Sequence, residues 1–120
     1  MTTVQNKGLN AEHLAAEFLK DKGYHILKHR YHGAGCEIDL IATIQQTLIF
    51  VEVRYRRTQI MAQYSITAQK QARLIRAAQH FLAQDTQILQ KFPFIRFDVV
   101  LLSKESHSIF HIENAFGVNI

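Results

Sequence analysis

Glu37-Ile38-Asp39-Leu40-Ile41 and Phe50-Val51-Glu52-Val53-Arg54 are strand-like stretches with acids at alternate positions. Side chains alternate faces along a strand, so Glu37, Asp39 and Ile41 share one face of the first stretch. Glu52 and Arg54 share one face of the second, with Phe50, Val51, Val53 and Tyr55 as the apolar remainder. A hairpin can close through Gln45-Gln46 as a two-residue loop or through residues 44–47 as a four-residue one. Either register sets Asp39 opposite Glu52 and Glu37 opposite Arg54. Gln-Gln is a poor two-residue turn beside Asn-Gly or Asp-Gly, and a loop of odd length would turn one set of side chains over. Opposed residues have Cβ atoms about 4.5–5.5 Å apart, where two carboxylates repel each other. A divalent cation between them resolves the conflict, because hard cations take oxygen ligands. The competing reading makes both acids solvent-facing alternates on half-exposed strands. It is weaker here, since Asp39 and Glu52 lie inside apolar runs (Ile38, Leu40, Ile41; Leu48 to Val51, Val53) where an unpaired charge is costly.

The flanking sequence supplies the rest of the fold. Ala11, Leu14, Ala15, Ala16, Phe18 and Leu19 recur at helical spacing over residues 9–21, with Asn6 or Asn10 to cap the start and Gly23 to end it. Residues 24–31 read as a strand and residues 32–36, with Gly33 and Gly35, as a loop. Residues 56–66 show no period and read as a connection. Thr67 caps a long helix from residue 68 to about 89, with Ala72, Leu74, Ile75, Ala78, Phe81 and Leu82 as its apolar stripe. Pro93 breaks the pattern before a strand at 94–102 and a short final one at 108–113. The order α-β-β-β-α-β-β predicts an α+β sandwich with a mixed central sheet, the long helix crossing over to make one parallel pair. One domain over residues 1–120 is expected.

Composition narrows the function classes. Apolar residues make up 48% of the chain, and a single proline and five glycines exclude a collagenous or low-complexity chain. No apolar run reaches the ~20 residues that span a membrane. Met1 to Lys7 lack a signal-peptide apolar segment. Cys36 is the only cysteine. That excludes an internal disulfide and paired-cysteine zinc frameworks and fits a reducing cytoplasm. The net charge of +4 suits a polyanion. Its placement is in clusters: Lys28, His29, Arg30 and His32; Arg54, Arg56 and Arg57; Lys70, Arg73 and Arg76. These read either as a nucleic-acid surface or as solvated faces. The histidines read as scattered and solvent-facing, Phe92, Phe94, Phe97 and Phe110 as core, and Asp98 as a buried acid paired with Arg96 or Arg73.

An acid, a strand, a turn and Glu-x-basic together resemble the metal-binding signature of the restriction-endonuclease-like nucleases. More narrowly, the chain resembles the YraN-like family of bacterial proteins, assigned that fold without an established activity. The residues that match run almost end to end. They are Gly8, Glu12 and Ala16; Gly23-Tyr24; Glu37 to Ala42; Phe50 to Arg56; Lys70; Arg96 to Val100; and Asn114-Ala115-Phe116. The resemblance implies a restriction-endonuclease-like fold and a site for Mg²⁺ or Mn²⁺ on Asp39 and Glu52, with the Val53 carbonyl added. It implies that Glu12 matches a helical acid found in Holliday-junction resolvases, where it holds a second cation or a water. It also implies that Lys70 matches a second-helix lysine. Many nucleases of this fold act as dimers, so a homodimer is part of the expectation. Gly35-Cys36 stands where relatives show two glycines. Arg54 stands where the nuclease signature has lysine, and Arg is always protonated and cannot act as a general base. It can clamp a phosphate oxygen.

Three functions follow as expectations. The first is a metal-dependent nuclease acting on branched or damaged DNA in repair or recombination, with Asp39, Glu52, Arg54 and Lys70 as catalytic groups. The second is a non-catalytic nucleic-acid-binding module using Arg54, Arg56, Arg57, Lys70 and Arg73. The third is a structural or adaptor protein whose charges only pair with one another. Glu37 either supports the metal or pairs with Arg54.

Overall fold

In a computed structural model, which describes residues 9–117, the hairpin closes in the expected register. Strand β2 (Cys36–Ile44) runs antiparallel to β3 (Thr47–Arg56), with Leu40 opposite Val51, Ile41 opposite Phe50 and Ile44 opposite Thr47. Gln45-Gln46 is the loop, and Gln45 takes the left-handed φ of 53° that a primed turn requires at its first position. Before β2 come α1 (Leu9–Asp21) and β1 (His25–Gly33); after β3 come α2 (Gln59–Tyr64), α3 (Ala68–Gln84), α4 (Ile88–Lys91), β4 (Phe94–Ser103) and β5 (Ile109–Phe116). The sheet order is β1-β2-β3-β4-β5, antiparallel except for the parallel pair β3–β4 that the helical crossover makes.

α1 ends as its sequence requires. Gly23 has φ 96°, and the amides of Gly23 and Tyr24 bond back to the carbonyls of Lys20 and Leu19, a Schellman arrangement. The buried face of α1, Ala11, Leu14, Ala15, Ala16 and Leu19, packs on Leu40, Ala42, Ile49, Val51, Val100 and Leu102. The other side of the sheet is covered by Leu74, Ala77, Ala78 and Phe81 of α3, packed on Ile41, Leu48, Phe50 and Phe97. The helix begins at the Thr67 cap, whose hydroxyl accepts from the Lys70 amide at 3.1 Å.

Several expectations are corrected. Residues 56–66 are not a bare connection: Thr58 caps α2 by accepting from the Met61 amide, and Ala62 anchors it on Val99 and Leu101. The long helix stops at Gln84, with α4 following as a separate turn, and its buried stripe uses Ala77 where Ala72 was expected. The loop at 32–36 shrinks to Ala34-Gly35, both with positive φ. The last strand extends to Phe116. Asn10 lies within α1 and does not precede it, and Asn6 and Gly8 fall outside the described residues. Phe94 and Phe110 are half-exposed or more. His111, far from solvent-facing, is buried against Asp98. Among the described residues, no helix is long and apolar enough to cross a membrane.

Candidate functional site

The β2–β3 ladder stops where the acids begin. Beyond Leu40 and Val51 the strands part, and the Asp39 carboxylate, not a backbone carbonyl, accepts the Val53 amide at 2.8 Å. On the other side of Asp39, Arg30 of β1 has φ 52° between the paired residues His29 and Tyr31. Face alternation fails at this point. Leu40 and Ala42 pack with α1, yet Ile38 packs with α3. The expected common face of Glu37, Asp39 and Ile41 is therefore broken. Ile41 lies under α3, while Glu37 and Asp39 meet Glu12 of α1, with one carboxylate oxygen of each within 4.8 Å of the others. Of the two roles open to Glu37, the pair with Arg54 does not form; Arg54 turns to Glu52 on its own strand, Nε to Oε2 at 3.0 Å.

Glu52 projects toward α3, and only 2% of its side chain is exposed. Lys70, in the first turn of α3, brings Nζ to 3.6 Å from Glu52 Oε2. The Arg54 guanidinium also donates to the Ser65 carbonyl at 3.4 Å, at the junction of α2 and α3. Glu12 is held by Arg30, Nε to Oε1 at 2.9 Å. The splayed strands thus let acids from α1 and β2 converge, while Glu52 of β3 is held by Arg54 and Lys70.

The Glu52 carboxyl is pushed up to about 8, by burial first and then by the neighbouring Asp39 carboxylate, against the pull of Arg54 and Lys70. Glu12 is also raised, by burial first, despite its bond to Arg30. Glu52 Oε1 is buried with no hydrogen-bond partner among the described residues. Arg54 Nε, though 3.0 Å from Oε2, is not aligned to bond it. An orphaned buried carboxylate oxygen beside a second carboxylate is costly as it stands. An oxygen-only donor set of this kind fits a hard divalent cation. Glu12, Glu37 and Asp39, whose oxygens gather within 4.8 Å, would hold it, with Glu52 beside Asp39 but outside that group.

Next to the acids, a cleft of about 420 Å³ is lined by His32, Gly33, Gly35, Cys36, Glu37, Lys70 and Arg73. Of the expected cationic residues, Lys70 and Arg73 are brought to this place. Arg56 folds onto the Tyr55 carbonyl and Arg57 lies 4.0 Å from Glu105 at the far end of β3; neither joins the cleft. Sequence reasoning missed the Arg30–Glu12 pair and the Ser65 carbonyl. The basic run at 28–32 was the only signal for the first; nothing local signals the second. Asp98 pairs with Arg96, Nε to Oδ1 at 2.8 Å, and not with Arg73.

The model of the uncharacterised protein family UPF0102 matches residues 11–102. Similar full-length relatives include UPF0102 proteins of Nitrosococcus oceani, 43% identical over 97% of this chain and 95% of the relative, and of Saccharophagus degradans, 44% identical over 93% of each. A UPF0102 protein of Nitrosomonas europaea is 44% identical over 97% of this chain and 98% of its own length.

Proposed function

Because the chain belongs to the uncharacterised protein family UPF0102, whose name assigns no reaction, we propose from the site itself that it is a divalent-cation-dependent nuclease. It acts on DNA in the cytoplasm, branched or damaged DNA included. The observation that carries this reading is Glu52: a 2%-exposed carboxylate, one oxygen unpartnered, facing Asp39 and flanked by Lys70. When bound, Mg²⁺ or Mn²⁺ supplies Lewis-acid polarisation and a water of lowered pKa. The chain's own groups do the rest. Asp39 is fixed by the Val53 amide. Arg54, braced by the Ser65 carbonyl, steadies Glu52 and contributes permanent positive charge. Lys70, 3.6 Å from Glu52, can meet a phosphate oxygen. It takes the place of the lysine that Arg54 displaces from the strand.

A second reading, a module that binds nucleic acid without cutting it, is favoured by Arg54 itself, which is committed to Glu52 and cannot serve as a base. Cleavage of single-stranded, duplex and four-way-junction DNA in Mg²⁺ and Mn²⁺ separates the readings. Wild type should cut, Arg54→Lys should cut as well or better, and Asp39→Ala should be inactive. Lys70→Ala should lose roughly 10²–10³ in rate, the worth of one donor to developing charge. Cutting that survives in Asp39→Ala would sink this site. Binding without cutting by wild type and Arg54→Lys would favour the module, and a chain that binds neither metal nor DNA would be an adaptor.

A further inference from the structure

We propose that the substrate of this site is an unpaired DNA strand, its phosphates running along Lys70 and Arg73 and one base stacking on Tyr64. The inference rests on the nuclease reading above. α2 lies on the same side of the sheet as Glu52, since Ala62 packs on Val99 and Leu101, and Val99 is the register partner of Glu52. With Ala62 turned inward, Ile60, Met61 and Tyr64 stand outward, 65%, 47% and 81% exposed. The Tyr64 side chain makes no hydrogen bond or ring contact with any described residue. Ser65, next to it, holds the Arg54 guanidinium, so this apolar edge borders the acids directly.

The cleft beside Glu37 is cationic. Lys70 and Arg73 line the cleft of about 420 Å³, and Arg73 is exposed with no ion pair among the described residues. Arg76, one turn on, donates to Cys36 Sγ at 4.0 Å and has no ion pair among the described residues. A cationic cleft beside Glu37, and an exposed aromatic next to the residue that holds Arg54, suit a single strand. The backbone follows the charges and a base lies on the ring, whatever its identity. A duplex keeps its bases stacked inside and offers Tyr64 nothing. A second copy of this chain carries the same +4 charge and would bring cations against the cationic cleft, whereas a polyanion complements it.

The chain has no tryptophan, so 2-aminopurine in a short oligonucleotide reports stacking without interference. Anisotropy and 2-aminopurine emission should be read in chelator and in Ca²⁺, apart from cleavage, for wild type, Tyr64→Ala, Tyr64→Phe and Arg73→Gln. A single strand should bind more tightly than the matching duplex and be quenched on binding. Tyr64→Ala should weaken binding roughly 5- to 150-fold, the span of one base–aromatic stack, and abolish the quenching, while Tyr64→Phe keeps both. Arg73→Gln should flatten the log–log salt dependence by about 0.7. Unchanged binding by Tyr64→Ala, a preference for duplex, or tighter binding of RNA than of DNA overturns the inference. So does a changed sedimentation coefficient in Tyr64→Ala with DNA binding intact, which assigns the face to a second copy. Duplex cleavage indifferent to Tyr64 removes this inference alone; a wild type that binds no metal removes the reading beneath it.

Discussion

Asp98 and Glu52 are buried acids on neighbouring central strands, at adjacent register positions and on opposite faces of the sheet. Val51 pairs with Asp98, and Glu52 with Val99. Their exposures, 0% and 2%, do not distinguish them. Their surroundings do. Asp98 accepts a fork from Arg96 at 2.8 and 2.9 Å, a bond from His111 Nε2 at 2.7 Å, and the Asn114 amide at 3.0 Å. The β5 backbone is irregular there, with Asn114 at φ 52°, and the irregularity delivers that amide. Arg96 in turn donates to the Tyr24 hydroxyl at 2.7 Å, tying the end of α1 to the sheet. Hydrogen bonds from His111, Arg96 and Asn114 outweigh the burial of Asp98 and hold its carboxyl below the usual range. Glu52 has an empty oxygen, an acid beside it, and a carboxyl raised to about 8. Burial alone does not tell a structural acid from a functional one; the donors around it do.

The sharpest way to break this contrast is to remove each charge. Asp98→Asn leaves the 2%-exposed His111 without its anion and Arg96 with only the half-exposed Glu113, and should cost about 3–5 kcal/mol of stability in urea denaturation. Glu52→Gln in chelator at pH 8 should be neutral or stabilising, because it removes repulsion from Asp39. Equal losses in the two variants would erase the distinction.

Cation binding tests the same contrast from the other side. Mg²⁺ or Mn²⁺ at a hundred times its dissociation constant should stabilise wild type by about 2.7 kcal/mol and leave Asp39→Ala and Glu52→Gln unmoved. Titration calorimetry that finds the same affinity in all three proteins would remove the metal from Glu52.

The two acids should also give stability opposite dependences on pH. Unfolded, Glu52 titrates near the usual 4.5; folded, near 8. Between these values the folded chain holds a proton that the unfolded chain has lost, so metal-free stability should decline as pH rises through that window. Asp98 runs the other way. Its carboxyl is lowered on folding, so its contribution is complete above the usual 3.8 and is lost as pH falls below it. Neither slope should exceed about 1.4 kcal/mol per pH unit. Glu52→Gln should flatten the decline between 4.5 and about 8 and leave the acid one.

Much of this was legible in the chain. Alternation within an apolar run predicted the hairpin and its register, and drew attention to Asp39 and Glu52. The Thr67 cap placed Lys70 in a first helical turn, although not its approach to Glu52, which depends on how α3 crosses the sheet. What stayed hidden was irregular or non-local. The strand period cannot announce that Asp39 interrupts its ladder, so Glu37 was assigned to Arg54's face when it faces Glu12. The short α2 has too few residues to show a period, so the exposed Tyr64 went unnoticed. His111 finds Asp98 only because β4 and β5 pair, and a lone histidine in sequence carries no sign of that.

The smallest prediction calibrates the others. Gln45 opens the hairpin loop at φ 53°, a conformation that is strained for any residue with a Cβ. Gln45→Gly should relieve that strain, and its gain is reduced by the greater freedom of glycine in the unfolded chain. The net stabilisation should be about 0.5–1 kcal/mol. The turn pairs through Ile44 and Thr47, with the Leu40–Val51 end of the ladder, where the acids gather, at its far end. The increment should therefore be the same at pH 5 and pH 8, and the same in chelator and in Mg²⁺. If it varies with pH or metal, changes in hairpin geometry reach the acids, and the effects assigned to Glu52 and Asp39 would have to be remeasured with the turn held fixed. If it is constant, the pH and metal responses belong to the carboxylates.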